Sequence, residues 1–167
     1  MTAEPGSLAP NGKPYESVWD FPRPPLLELV EWRIEVHHRG VVVVDAPQAY
    51  RVLETSQPPA YYVDPAHVNH AVLEPSTSLT FCEWKGQASY VDVVVEGGRE
   101  ADAGWYYRDP TPRFAPLEGF YAFYAQKMER CMVDGEEVDA NEGRFYGGWI
   151  TSNVTGPFKG APGTAHW

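Results

Sequence analysis

Cysteine is scarce in this chain. Cys82 and Cys131 are the whole complement, too few for the disulfide framework that staples small secreted domains. Basic residues are also few. Lysine and arginine total 13 against 23 aspartates and glutamates, a formal charge of -10, so phosphate backbones and anionic lipid surfaces would repel the chain. Neither nucleic acid nor a membrane surface is an expected partner. Long apolar runs are missing too: Val41 to Val44 is the longest aliphatic one, far short of a bilayer crossing, and no basic region followed by an apolar stretch opens the chain. The expected setting is the reducing cytoplasm.

What is present is aromatic and turn-forming. Aromatics make up 14% of the residues, with six Trp and ten Tyr, while 15 Gly and 16 Pro punctuate the sequence and predict many turns and few helices. A chain of 167 residues forms one domain, long enough to bury about two-thirds of the surface its unfolded form exposes. Residues 1–15 are expected to be a mobile segment, and 16–167 a single domain with an irregular N-terminal arm and a Gly-rich C-terminal tail. The apolar Val18, Trp19 and Phe21 in the arm predict that it lies on the core.

Along the chain, Trp32, Ile34 and Val36 alternate with polar residues before Arg39-Gly40 and four valines, which predicts a hairpin with His37 and His38 solvated at its tip. Residues 45–54 fit either a helical turn or a strand. Asp64-Pro65 has the form of an N-cap followed by proline at the first helical position, predicting one short helix over Ala66 to Leu73. His67 and His70 would share a face of it, but no Cys-x-x-Cys or His-Glu-x-x-His accompanies them, so no metal site is expected. Further strands are expected over 119–125 and 127–133, with Cys131 a small core residue.

The stretch from Phe81 to Arg108 carries the most information. Turn signals at Lys85-Gly86 and Gly97-Gly98, with alternating residues between, predict three antiparallel strands. With Gly97-Gly98 as a two-residue turn, Tyr90 pairs with Trp105, Asp92 with Ala103 and Val94 with Ala101. One face then holds Ala88, Tyr90, Asp92, Trp105 and Tyr107, where Ala101 and Ala103 leave a hollow walled by rings and containing a carboxylate. The opposite face holds Val91, Val93 and Val95. Cys82 falls opposite Ser89 after a two-residue turn, or opposite Tyr90 after a three-residue one, and the sequence leaves both open. Only in the second case does it face the hollow. Gly156-Pro157-Phe158-Lys159-Gly160 lacks the Gly-Lys-Ser/Thr order of a phosphate loop and reads as tail packing.

Several motifs together resemble one family. Glu16-Ser17-Val18-Trp19-Asp20, Pro22-Arg23-Pro24-Pro25, Leu53-Glu54-Thr55, Pro58-Pro59 with Tyr61-Tyr62, Cys82-Glu83-Trp84-Lys85-Gly86, Trp105-Tyr106-Tyr107, Phe145-Tyr146-Gly147-Gly148-Trp149 and Gly156-Pro157-Phe158-Lys159-Gly160 are similar, in order, to the domain of unknown function 427 family, some of whose catalogues use the label nucleotidyltransferase-like. The resemblance implies a β-tent, two antiparallel sheets meeting at an angle around a ligand-sized cavity. It places Cys82, Lys85, Trp105 and Tyr107 at motif positions. Better-known β-tent proteins hold zinc with two Cys-x-x-Cys pairs, which this sequence lacks, so no metal or other cofactor is carried over.

Three function classes follow. A binding domain would stack a small molecule on Tyr90, Trp105 and Tyr107 and orient it with Asp92, Glu54 or Lys85. An enzyme would use Cys82 as nucleophile or Lys85 as a Schiff-base or acid-base group. The nucleotidyltransferase label finds no support, because no carboxylate pair beside a glycine-serine turn is visible. A protein-interaction module or homodimer, built on aromatics of the tail or arm, is the third.

Overall fold

A computed structural model describes residues 7–143 and 146–167. The first six residues of the expected mobile segment, and Phe145 of the tail motif, lie outside the described residues. From Leu8, which bridges Pro14, the segment contacts the body: the Asn11 amide donates to Glu136 and Asn153, each at 2.9 Å, and Lys13 pairs with Asp134.

The described chain is mainly β. In order come β1 (Glu16–Ser17), β2 (Leu26–Val30), β3 (Ile34–His38), β4 (Val41–Ala46), β5 (Ala49–Leu53) and β6 (Ala60–Tyr62). Three long strands follow, β7 (Leu73–Cys82), β8 (Gly86–Val95) and β9 (Gly98–Tyr107). The remainder are short: β10 (Tyr121–Phe123), β11 (Arg130–Val133), β12 (Glu136–Glu137), β13 (Asp139–Ala140), β14 (Trp149–Ile150) and β15 (Val154–Thr155). They form two four-stranded antiparallel sheets, β10-β9-β8-β7 and β12-β11-β3-β4, a three-stranded sheet β2-β5-β6, and two small pairs, β13-β14 and the parallel β1-β15. The segment at 45–54, open between helix and strand in the sequence, is the central strand of the three-stranded sheet.

The meander sheet is buried on both faces, which is why its middle strand is nearly continuous in apolar residues. Val93 and Val95 pack with Ile34, Val36, Val43 and Val44 of the β3-β4 hairpin. The other face presents Ala88, Tyr90, Trp105 and Tyr107 to Val52 and Tyr62 of the three-stranded sheet. A third cluster joins Val18 and Phe21 of the arm to Leu53, Val154 and Phe158, while Trp19 is 43% exposed. Arg51, 2% exposed, sits beneath the arm, where its guanidinium donates to both oxygens of Glu16 at 2.8 and 3.0 Å and to Glu28. It also lies over the Trp32 ring.

Four local expectations are corrected. Asp64 does accept from the amide of Ala66 at 2.9 Å, but the continuous helix over Ala66–Leu73 does not form. Two 3₁₀ turns, Pro65–His67 and His70–Val72, stand there instead, separated by an extended Val68 at φ -107°, ψ 138°. The cause is a tertiary contact: Val68 bridges Val44, and the amide of Asn69 donates to the Val43 carbonyl at 2.8 Å, so β4 captures the middle of the segment. His38 is buried rather than solvated, with Nδ1 accepting from the Glu129 amide at 3.2 Å. The expected strands at 119–125 and 127–133 shorten to β10 and β11.

The fourth correction concerns the meander. Tyr90 does pair with Trp105, and Ala88 with Tyr107, but Val94 pairs with Arg99 and Val95 with Gly98. The two-residue turn is therefore Glu96-Gly97, with Gly97 at φ 85° as such a turn demands. Between Val91 and Val93 the register shifts by two residues, because Ala101, Asp102 and Ala103 lie against the single Asp92. Asp102 adopts φ 51° in this bulge. Asp92 fills it, accepting from the Asp102 amide at 2.9 Å and pairing with Arg99 at 2.7 Å. The hollow is consequently not left by Ala101 and Ala103. Ala101 is exposed and Ala103 packs in the valine-rich core.

Candidate functional site

A cavity of about 410 Å³ opens between the meander and the three-stranded sheet. Its walls are largely aromatic, with Tyr62, Trp84, Tyr90, Trp105, Tyr107 and Tyr124 contributing, and its polar groups include Glu54, Gln57, Thr80, Cys82, Lys85 and Lys159. That combination, apolar walls with a few convergent polar groups, is what small-molecule sites are made of.

Trp105 is the centre of the floor. Its Nε1 donates to the Tyr62 hydroxyl at 3.1 Å, and its ring lies 4.6 Å from Tyr124 and edge-on to Tyr62 at 6.1 Å. Across the sheet, Thr80 and Tyr90 share a hydrogen bond of 2.9 Å between their hydroxyls. The phenols of Tyr107 and Tyr124 are both pushed well above the ordinary tyrosine value, first by burial and then by neighbouring tyrosines. They are neutral donors and acceptors here, never phenolates at physiological pH.

The turn before β8 decides where Cys82 and Lys85 go. It spans three residues, Glu83, Trp84 and Lys85, the length of the second alternative, but Cys82 pairs with Gly86 rather than with Tyr90 or Ser89. Parity nevertheless puts Cys82 and Thr80, which pairs with Ala88, on the cavity face. The loop after β9 holds this turn: the Thr111 hydroxyl donates to the Trp84 carbonyl at 2.6 Å and the Thr111 amide to the Lys85 carbonyl at 3.0 Å. Lys85 lies 5.8 Å from the centre of the Tyr107 ring, and it lines the cavity together with Cys82. Burial would lower its pKa, but Tyr62, Cys82 and Glu54 outweigh burial and hold the ammonium above its ordinary value.

Glu54 is already answered. Gln57 donates to its Oε2 at 2.9 Å and the Arg23 guanidinium lies 3.6 Å away. The tail closes the remaining side. The amide of Lys159 donates to the Ser56 carbonyl at 2.7 Å, and that of Trp149 to the Pro59 carbonyl at 2.8 Å. These bonds lay Gly147 and Gly148 directly on the cavity. A Cβ on Gly147 would lie 2.1 Å from Cη2 of Trp105, and one on Gly148 would lie 2.3 Å from the Pro58 carbonyl oxygen, so only glycine fits at either place.

The structure thus brings together Glu54, Cys82, Lys85, Tyr90, Trp105 and Tyr107. It does not bring Asp92, which is spent on the bulge and Arg99. Sequence reasoning missed Tyr62, Trp84, Tyr124, Gln57, Tyr146 and Lys159. The signal for four of them lay in the motifs quoted above: Tyr62 in the Pro-Pro-x-Tyr-Tyr run, Trp84 beside Cys82, and Tyr146 and Lys159 in the two tail motifs. The Gly156–Gly160 loop does pack as expected, yet the Lys159 side chain also lines the cavity. Among the described residues, no group of three or more His, Cys, Asp or Glu is placed to hold a metal ion. His67 is exposed, and His70 contacts the Pro65 carbonyl.

Residues 26–134 match a protein-family model described as a domain of unknown function, DUF427. The chain belongs to the DUF427 family. The matched region includes the meander, the three-stranded sheet and the Cys82–Lys85 turn. The tail that supplies Tyr146, Gly147, Gly148 and Lys159 to this DUF427 cavity lies beyond it. A comparison with curated proteins returned no match. No helix among the described residues is long and apolar enough to cross a membrane.

Proposed function

We propose that this DUF427 protein is a binding domain that holds a small planar molecule in the cavity between its meander and its three-stranded sheet. The observation that carries this reading is the floor built on Trp105, whose hydrogen bond to Tyr62 fixes the indole plane before any ligand arrives. Aromatic surfaces fixed in advance give stacking energy without the cost of ordering them on binding. The acidic balance of 13 basic to 23 acidic residues disfavours a nucleic-acid partner, and the two free cysteines suit a reducing cytoplasm.

The test is a titration of metabolites followed by NMR of the indole N–H resonances. A ligand should shift the Trp105 signal selectively, and Trp105→Phe, if folded, should weaken its binding at least tenfold. Unchanged affinity in that variant would remove Trp105 from the site.

A second reading, an enzyme with Cys82 as nucleophile, is favoured by one observation, the placing of Cys82 and Lys85 on the same cavity. An ammonium beside a sulfur favours the reactive thiolate.

A further inference from the structure

The charged side chains that face the cavity, two carboxylates and two ammonium groups, form no ion pairs with one another. Of its two carboxylates, Glu54 is engaged by Arg23 and Gln57, and Glu83 is exposed at the rim. The third carboxylate expected there, Asp92, is held in the β8-β9 bulge by Arg99 and a backbone amide. Two lysines remain. Lys85 and Lys159 both line the cavity, and neither makes an ion pair with a carboxylate among the described residues. Each lies near an aromatic face instead, Lys85 5.8 Å from the Tyr107 centroid and Lys159 5.8 Å from that of Tyr146.

What sets these two ammonium groups apart from the other basic side chains is their place: both line the aromatic cavity, in a chain whose formal charge is -10. They approach from opposite sides. Lys85 comes from the turn between β7 and β8, and Lys159 from the tail, whose backbone is pinned to the Ser56 carbonyl and to the side chain of Asn141. An ammonium held in a partly desolvated, ring-lined space binds an anion more strongly than one in bulk water, because the local dielectric is lower.

We infer that the ligand is a planar anion, an aromatic or conjugated carboxylate or a molecule carrying a similar acidic group, which stacks over Trp105 while Lys85 and Lys159 grip its charge. This rests on the binding reading above and names the class of ligand for that same site. Lys85 is suited to the role because Tyr62, Cys82 and Glu54 keep it protonated despite its burial. Lys159 lies beyond the family-matched region, and its position is set by the tail that closes this side of the cavity.

Three probes that share a ring and differ in charge test the inference: indole-3-acetate, indole-3-acetamide and tryptamine, titrated into the full chain by calorimetry and indole N–H NMR. The anion should bind at least tenfold more tightly than the amide, with the amine weakest. In Lys85→Met and in Lys159→Gln the preference for acetate over acetamide should fall toward one, and an undiminished preference in both would overturn the assignment. Lys85 and Lys159 are both half-buried and stand on separate segments, so either variant keeps the experiment decisive if the other does not fold. Equal binding of all three probes would overturn the anion assignment and leave the aromatic cavity standing. Binding of none would overturn both.

Discussion

The indole nitrogen of Trp105 donates to the hydroxyl of Tyr62, tying the middle of β9 to the end of β6 across the cavity. Both side chains are buried, so the bond has no water to replace it. Tyr62→Phe strands a buried N–H, and a buried unsatisfied donor costs about 1–3 kcal/mol. Urea unfolding should show a loss of that size with an unchanged m-value. A loss below about 0.5 kcal/mol, the usual range for surface substitutions, would mean that the Trp105 N–H has another partner.

Gly147 gives a second handle on the same ring. Since its added Cβ would sit 2.1 Å from Trp105, Gly147→Ala forces either the indole or the tail to move. Overpacking of this kind costs about 1–3 kcal/mol. Trp105 emission should shift and ligand affinity fall in the same variant, because one ring reports both. A variant with wild-type stability and wild-type emission would show that the tail does not rest on Trp105.

Much of this was legible in the sequence, and the reasons for the rest are local. The pairing of Tyr90 with Trp105 followed from the turn signal, yet it came out right through two offsetting differences. The turn sits at Glu96-Gly97, two positions off in the pair sum, and the bulge around Asp102 adds two residues that restore it. Nothing in an alternating pattern announces a bulge that a side chain fills, so Asp92 looked like a cavity carboxylate. The helix at Ala66–Leu73 failed for a different reason. Its cap was read correctly, but 3₁₀ turns and an α-helix share cap chemistry, and β4 decided between them through Val44 and Val68. Lys159 and Gly147 were in view as motif residues. Their side of the cavity is closed by a segment far away in sequence, and no periodicity reports such a contact.

The buried Arg51 predicts a strong asymmetry between two substitutions. Arg51→Ala leaves Glu16 and Glu28 without their shared cation and removes the packing on Trp32. Breaking a buried pair on one side costs about 3–5 kcal/mol, and the partial exposure of the two glutamates should bring the loss to the low end of that range. Arg51→Met combined with Glu16→Gln removes the cation and the less exposed of its two partners, leaving only the more exposed Glu28, and should recover part of the loss. Thermal unfolding of the two variants checks the order, and a double variant less stable than Arg51→Ala would contradict it.

Asp102 predicts a pH dependence with a definite sign. The Ser76 and Ser78 hydroxyls donate to its two oxygens at 2.5 and 2.8 Å, and with Lys127 nearby they hold its carboxyl below the usual aspartate value. A lowered folded-state value stabilises the protein fully above the unfolded value of about 3.9 and ceases to as pH falls through the folded one. Asp102→Asn keeps a residue type that tolerates the φ of 51°. It should therefore be less stable than wild type at pH 7, with the gap closing below about pH 4. Denaturation series from pH 2 to 7 measure it, and a gap that stays constant to pH 2 would remove Asp102 as its source.

The two cysteines separate the binding reading from the catalytic one. Cys131 is 2% exposed and its thiol is pushed up, first by burial and then by Glu137, so it should react with a thiol reagent only when the protein unfolds. Cys82 lines the cavity and should react in the native state. Mass spectrometry of the labelled protein distinguishes the two sites directly. If Lys85 activates the sulfur, Lys85→Met should slow labelling of Cys82 at neutral pH by more than tenfold, since thiolate is the reacting form. Equal rates in the variant and the wild type would end the nucleophile reading. Indole-3-acetate should protect Cys82 in either case, because protection needs only an occupied cavity and not a reactive thiol.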